Sequence, residues 1–233
     1  EQHTMASRPV FIPSKDFPFV KEVMVEFKWH AGFAVSQKQK SIVEFHEAID
    51  ALGLGKSSLE ISSKSSLEIG TALSAFNLKV ELGNGQYVAV ENIFQAAKIF
   101  EQGGPFKDLL QTTPLEAKRD IRLKESGDMV GFRGKEDVWP LEPKTLFYDW
   151  IYINALHRQS ELASAVLEFD SFTDIEFNPA KSFNCQARSV ALYIALFNSG
   201  HLQSVLEDSN KYKQLMMQDA GETLQKPVQR NLI

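Results

Sequence analysis

One cysteine, Cys185, stands in 233 residues. That excludes an internal disulfide and a multi-cysteine metal site, and it suits a reducing cytoplasm. The five histidines are scattered, so no metal site is expected. No apolar run is long enough to span a bilayer. No secretory leader is visible, and the four residues before Met5 are read as an appendage and set aside. There is no Walker loop, no dinucleotide GxGxxG, no HExxH and no serine nucleophile elbow, so no cofactor is expected. Positive charge is also short. Lys and Arg number 25 against 30 Asp and Glu, a net charge of −5. No global basic field therefore draws in nucleic acid, and such a partner would need a local patch. What remains for chemistry is carboxylates, lysines and amides. That set suits hydrolysis at an anomeric carbon, where one group gives a proton and another traps the cation-like centre.

What is present fits one domain with ample core. At 43% hydrophobic and 24% charged residues, the composition is that of a soluble globular protein. Arg8 to Pro18 is proline-punctuated and extended. Val23, Val25, Phe27 and Trp29 alternate with Met24, Glu26 and Lys28, the period of a half-buried strand. Ser36 to Gln39 has capping-box spacing. The helix after it carries Ile42, Phe45, Ile49 and Leu52 on one face and ends at Gly53, with His46 beside that face as a partly buried, satisfied histidine. Residues 54–66 read as a surface loop with a short strand, and a short helix follows over Leu67 to Leu73.

Phe76 to Leu82 and Gln86 to Val90 form a hairpin through Gly83-Asn84-Gly85. It feeds a helix expected to open near Glu91 and stop at Gly103-Gly104, where a left-handed residue is cheap. On that helix Glu91, Gln95, Lys98 and Gln102 line one face, while Ile93, Ala96, Ala97 and Phe100 cover the other. By spacing alone the polar stripe is a solvated face. Thr113-Pro114-Leu115-Glu116 is a helix start with a capping box and Pro at the first position. The helix runs to about Glu125, and Gly127 ends it. Lys118, Arg119 and Arg122 cluster there, with Arg133 and Lys135 in the next loop. The cluster is either a solvated basic face or a docking surface for phosphates.

The segment Lys144 to Gln159 is apolar on nearly every side, the pattern of a buried helix, yet it carries Asp149. A buried carboxylate must be paired or protonated. Arg188, on a last core helix over Gln186 to Asn198, is its expected partner. Asp174 and Glu176 fall on a strand or loop between these helices.

Val-Glu-Asn-Ile-Phe-Gln-Ala-Ala-Lys-Ile-Phe, from Val90 to Phe100, resembles the signature helix of the NADAR (YbiA-like) superfamily. Leu73-Ser74-Ala75-Phe76-Asn77 resembles that family's Leu-Ser-Asn-Phe element, with Phe and Asn exchanged and an Ala inserted. The likeness is nearer to the branch of NADAR antitoxins associated with DarT-type DNA ADP-ribosyltransferase toxins. It extends from about Arg8 to Leu202, through FVKEVMVEFKW, WPLEPKTLFYDWIYINAL and FTDIEFNPAKSFNCQARS. The resemblance implies an enzyme that removes ADP-ribose from guanine bases in DNA, with the toxin as functional partner; single-stranded DNA is the expected better substrate, because no unpairing energy is needed there.

On that reading Lys98 is the candidate nucleophile, Glu91 the proton-transfer residue and Asp149 the group that orients the lysine or ribose, with Lys144 as a reserve nucleophile. The candidate substrate-binding residues are Ser74, Asn77, Phe94, Gln95, Lys118, Arg119, Trp139, Lys144, Asn184 and Arg188. Phe94 and Trp139 are read either as stacking platforms or as core. Two other functions stay open: an N-glycosidase acting on free ribosylaminopyrimidine phosphates, and a non-catalytic ADP-ribose binding protein.

The expected fold is α+β, a single compact, mostly helical domain with a small antiparallel sheet that holds Val23 to Trp29 and the Phe76 to Val90 hairpin. Residues 5–202 are the expected domain, with 5–70 as an extension packed on it. Residues 203–233 are the expected polar tail, with one weak helix through Tyr212 and Leu215.

Overall fold

A computed structural model describes residues 4–218. The chain begins with an antiparallel pair, β1 (Met5–Pro13) and β2 (Val20–Lys28), on which α1 (Val35–Ala51) packs. Val25 and Phe27 are buried while Met24 and Glu26 face out, as the period-two pattern requires. Phe27 stacks on Phe45 of α1 with ring centroids 4.3 Å apart. Then follow β3 (Ser58–Glu60), α2 (Glu68–Ala72), the hairpin β4 (Lys79–Glu81) and β5 (Tyr87–Ala89), and α3 (Val90–Ala97). After these come β6 (Lys98–Phe100), α4 (Pro114–Arg119), α5 (Arg122–Glu125), β7 (Met129–Arg133) and β8 (Val138–Trp139). The chain continues through α6 (Leu146–Arg158), α7 (Ser160–Ala165), β9 (Ser171–Thr173), α8 (Gln186–Asn198), α9 (Leu202–Glu207) and α10 (Ser209–Met216).

The α+β architecture is as expected, but the strands are distributed differently. One four-stranded sheet has the order β2-β1-β9-β3, with β3 parallel to β9 and the β1 pairs antiparallel. The β4–β5 hairpin forms a sheet of its own, and β6-β7-β8 a third. The expected single sheet joining Val23–Trp29 to the hairpin does not exist. Strand periodicity reports which face of a strand is buried, not which strand lies beside it.

Helices α6 and α8 pack together at the centre. Tyr152, Ile153, Ala155 and Leu156 of α6, and Val190, Ala191 and Leu192 of α8, are fully buried. The all-round apolar pattern of Lys144 to Gln159 is thereby explained. The capping box at Thr113 is formed as spelled: Glu116 N–H donates to Thr113 Oγ1 and Thr113 N–H to Glu116. That helix ends at Asp120, and α5 resumes after a turn. The box at Ser36 is not formed. Helix α1 starts two residues earlier, with Ala34 as an N-cap that makes no side-chain bond.

Two further departures concern the site. The helix expected to run from Glu91 to Gly103 stops at Ala97, and Lys98 turns extended at φ −62° and ψ 130°. Lys98 to Phe100 then pair with β7, which ends at Arg133, a residue expected in a loop. Tertiary pairing overrides a local helical pattern that depends only on the chain's own turn-to-turn bonds. Gly104, at φ +84°, lies so close to the Lys98 carbonyl that a Cβ there would sit 2.2 Å from it. Only glycine fits.

The second departure is at the carboxyl end. Tyr212 is fully buried beneath Trp139 and Trp150, and its hydroxyl donates to the Leu146 carbonyl at 2.7 Å. Burying a large aromatic side chain contributes about 1.5–3 kcal/mol, so α9 and α10 are held to the core rather than fraying. Residues 219–233 of the expected tail lie outside the described residues.

Candidate functional site

A cleft of about 640 Å³ opens between the strand ends and the α2–β4 turn. Such a volume is of the size that holds a nucleotide-like ligand. The turn after β3 brings Ser62, Ser63 and Lys64 to it. The turn after β9 brings Asp174 and Glu176, and the loop before α8 brings Asn178, Lys181, Asn184 and Gln186. The opposite wall is Ser74, Ala75 and Phe76, with Lys118 and Arg119 from α4 and Tyr148 from α6. Gln186 staples the two walls. Its Oε1 accepts from the Ala75 amide and its Nε2 donates to the Ile61 carbonyl, each at 2.8 Å. Lys64, Lys118, Arg119 and Lys181 give the cleft a local positive rim on an acidic chain. Asn184 Oδ1 is buried without a hydrogen-bond partner, an acceptor ready for a ligand N–H or O–H.

Behind the Ala75–Phe76–Lys118–Tyr148 wall stands the start of α3. Glu91 is buried, its amide donates to the Ala75 carbonyl, and Gln95 Nε2 donates to Glu91 Oε1 at 3.0 Å. Gln95 Oε1 is buried and unpartnered. Lys98 Nζ lies 4.8 Å from the centre of the Phe94 ring, which meets Tyr148 edge-on at 5.1 Å. Burial pushes the Lys98 amine below the ordinary lysine range. Glu91 opposes this and the Lys118 charge adds to it. A lysine so placed spends more of its time uncharged, the form that attacks a carbonyl or imine carbon. Asn92 fixes the neighbouring segment: its Nδ2 donates to the carbonyls of Leu109 at 2.9 Å and Thr112 at 2.8 Å, which anchors the loop leading into α4.

The family profile of the DarT1-associated NADAR antitoxin matches residues 6–226. The chain belongs to that family. No curated protein matches it. This NADAR chain is therefore an antitoxin by family, with a DarT-type toxin as counterpart. Among the described residues no helix is long and apolar enough to cross a membrane, and no three His, Cys, Asp or Glu side chains gather as a metal site.

The structure distributes the sequence-derived site residues unevenly over this NADAR fold. Ser74, Lys118, Arg119 and Asn184 line the cleft, and Glu91, Phe94, Gln95 and Lys98 lie directly behind its wall. Gln102, expected on the face of Glu91 and Lys98, lies beyond β6 and is not brought to them. Asp149 and Arg188 are paired as expected, but with each other. They line a separate cavity of about 270 Å³ with Thr145, Leu146 and Met216, and Ser189 Oγ also donates to Asp149 at 2.7 Å. Successive residues of a helix point about 100° apart. Tyr148 therefore faces the cleft and Asp149 does not.

Trp139 is buried against Trp150, Phe147 and Tyr212, so it is core and not a stacking platform. Asn77 donates to the Thr71 carbonyl and lines a shallow groove with Ser65 to Glu68. Lys144 is exposed, with its ammonium 4.0 Å above the Phe183 ring, and does not line the cleft. Arg122 is held by two carboxylates, Asp108 at 2.7 Å and Asp120 at 2.9 Å. His46 is satisfied, as read: its Nε2 lies 2.8 Å from Thr173 Oγ1, and burial lowers its pKa to about 4.

The sequence reading assigned no role to Asp174, Glu60 or Tyr148. Asp174 is buried at the cleft, and burial followed by the nearby Glu60 charge pushes its carboxyl well above the usual range. A signal existed. Glu60 stands between Leu59 and Ile61, and Asp174 precedes Ile175 in a run that begins at Phe172. Acidic residues set in buried-strand patterns are costly and need a reason.

Proposed function

We propose that the chain is a hydrolase that removes ADP-ribose from guanine bases in DNA and so reverses the toxin's modification. The observation that carries this reading is the juxtaposition of a partly buried lysine, its amine pushed below the ordinary range by burial, with Glu91 behind a cation-rimmed cleft that also holds Asp174, its carboxyl pushed well above the usual range by burial. Lys64, Lys118 and Lys181 suit the ADP-ribose diphosphate, and Arg119 a backbone phosphate of the DNA. The unpartnered Asn184 Oδ1 suits a ribose hydroxyl or a guanine N–H.

In the proposed path Asp174 gives a proton to the ribose ring oxygen. The ring C–O bond breaks as the lone pair of the guanine nitrogen forms the new C=N bond, so the anomeric carbon becomes an iminium that keeps its N–H. The lone pair of neutral Lys98 attacks that carbon. Glu91 moves the ammonium proton to the guanine nitrogen, the carbon–guanine bond breaks, and guanine leaves as a neutral amine. Water adds to the lysine iminium, one of its protons returns to Asp174, the carbon–lysine bond breaks to give back neutral Lys98, and the freed aldehyde closes to ADP-ribose. This keeps Lys98 and Glu91 in the expected roles. Asp149, expected to orient the lysine or the ribose, is committed to Arg188 and takes no part, and Asp174 enters as a proton donor.

The decisive experiment offers three probes to the purified protein: a single-stranded oligonucleotide bearing ADP-ribosylated guanine, its duplex, and a free ribosylaminopyrimidine phosphate. Free ADP-ribose in molar excess over protein, released fastest from the single strand, is the expected result. No unpairing energy is needed there. Turnover of the free nucleotide alone selects the alternative N-glycosidase. Stoichiometric protection without release selects the binder.

DNA docking must come from few contacts, so log affinity against log salt should have a slope of roughly −2 to −4. Arg119→Glu is expected to raise KM for the oligonucleotide several-fold and leave that for a modified nucleoside nearly unchanged. Arg122→Ala should leave both unchanged and instead lower the melting temperature, because its cation serves Asp108 and Asp120. An equal KM effect of Arg119→Glu on both substrates would remove DNA docking from that residue.

Asp174 also carries a stability signature. Its folded pKa is raised, so its contribution is fully present below the unfolded value of about 3.9 and is lost as pH climbs through the folded value. Asp174→Asn removes the titration. The variant should match wild type near pH 4 and become the more stable of the two toward pH 8, while losing activity. Each kcal/mol corresponds to roughly 2–4 °C in Tm for a domain of this size. Parallel melting curves across that range would exclude a buried neutral Asp174.

A further inference from the structure

The parallel pairing of β3 with β9 sets Glu60 opposite Thr173, one residue before Asp174. Glu60 is only 2% exposed, and donors surround it: Ser62 Oγ at 2.6 Å, Thr173 Oγ1 at 2.9 Å and the Ile175 amide at 3.1 and 3.0 Å to its two oxygens. Thr173 Oγ1 spends its only proton on Glu60, so His46 Nε2 must donate to Thr173. The chain of donors from His46 through Thr173 thus ends on the Glu60 carboxylate. It has one direction, and its terminus is negative. Asp174 has less support: the Glu176 amide at 3.0 Å and the Gln186 side chain.

We propose that Glu60 is a positioning residue that acts through Asp174, its fixed negative charge keeping the carboxyl proton of Asp174 in place at the edge of the cleft. Two buried carboxyls set one position apart on paired strands resist ionising together, and the proton stays on the one with fewer donors. Burial raises both groups, and the Glu60 charge adds to the effect of burial on Asp174. The cations on the cleft rim, Lys64, Lys118, Arg119 and Lys181, act against this rise, and the remaining titratable groups that face the pair do not. Glu176 is a further negative charge beside both, and Cys185, Tyr148 and Tyr152 are held neutral by their own burial. Glu60 lies on the side of a second cavity, of about 380 Å³, that also holds His46. It therefore need not touch the substrate. Its role rests on the reading of Asp174 as proton donor.

The test separates the two claims. Asp side chains carrying a carboxyl 13C label are titrated by NMR in wild type and in Glu60→Gln, and the Asp174 resonance is assigned by its loss in Asp174→Asn. The Gln amide keeps the shape and one acceptor oxygen. The expected result is an Asp174 midpoint about one pH unit or more lower in Glu60→Gln. The alkaline limb of kcat/KM for ADP-ribose release should move down by the same amount, with KM within about twofold of wild type. An unchanged midpoint overturns the proposal whatever the activity. A lowered midpoint in a protein that releases no ADP-ribose upholds the Glu60–Asp174 coupling and sinks the hydrolase reading instead. A lowered midpoint with an unmoved alkaline limb keeps the coupling and removes Asp174 as the donor. Should circular dichroism show Glu60→Gln unfolded, Thr173→Val takes its place. It deprives Glu60 of a donor, draws the proton toward Glu60 and is expected to lower the Asp174 midpoint; no change there is equally fatal.

Discussion

Lys98→Met is expected to reduce ADP-ribose release by roughly 10³-fold or more, as loss of a covalent nucleophile does, without unfolding the protein. Methionine keeps an apolar stem over the Phe94 ring, where the ammonium now sits at 4.8 Å. The Lys98 backbone bonds to β7 do not involve the side chain. The change therefore removes an amine and leaves the cavity filled. A chemical trap gives the companion result. Borohydride added during turnover should leave a ribosyl adduct on wild type, locatable by peptide mass to Lys98, and none on the variant. Lys144→Met is the matched control and should be silent, because that ammonium lies out over Phe183. Near-normal release by Lys98→Met would end the Schiff-base path. An adduct on Lys144 would move it.

Arg188→Met should cost about 3–5 kcal/mol of stability. Asp149 is 1% exposed and its partners are Arg188 and Ser189. Removing the guanidinium strands a buried carboxylate between α6 and α8, the two helices that pack at the centre of the core. Arg188 is itself partly exposed, so the lower end of that range is the firmer expectation. The double change Asp149→Asn, Arg188→Met should recover most of the loss, since breaking a buried pair costs more than deleting it. Chemical denaturation of the three variants reads this directly. The fraction of Arg188→Met that remains folded should turn over substrate normally. Loss of kcat there, with the fold intact, would return the Asp149 pair to the active site.

The two experiments divide residues that sequence spacing had grouped. Lys98, Glu91 and Gln95 are marked by a family motif, and a short helix holds Glu91 and Gln95 in register. Glu91 and Gln95 are i and i+4 on α3 and do meet, at 3.0 Å. Asp149 was found for a sound reason, a carboxylate in a buried helix, and its partner Arg188 was named with it. Burial alone does not say which cavity a side chain faces. Trp139 shows the same limit: an aromatic residue near a motif is legible as an aromatic, and only its neighbours Trp150 and Tyr212 make it core.

The sequence by itself determined the α+β class, the buried character of α6 and α8, the capping box at Thr113, the Asn84-Gly85 turn and the family. Each is a matter of local period, turn chemistry or motif, where interacting residues lie within a few positions along the chain. Tertiary structure decided the rest. It ended α3 at Ala97 by pairing Lys98 with Phe132, and it assigned Arg122 to carboxylates instead of phosphates. By setting β3 beside β9 it brought Glu60 and Asp174, 114 positions apart in the chain, to one buried site. The physical reason is common to all three. A strand partner, an ion-pair partner or a neighbouring charge acts through space, and its identity depends on which distant segment the fold delivers.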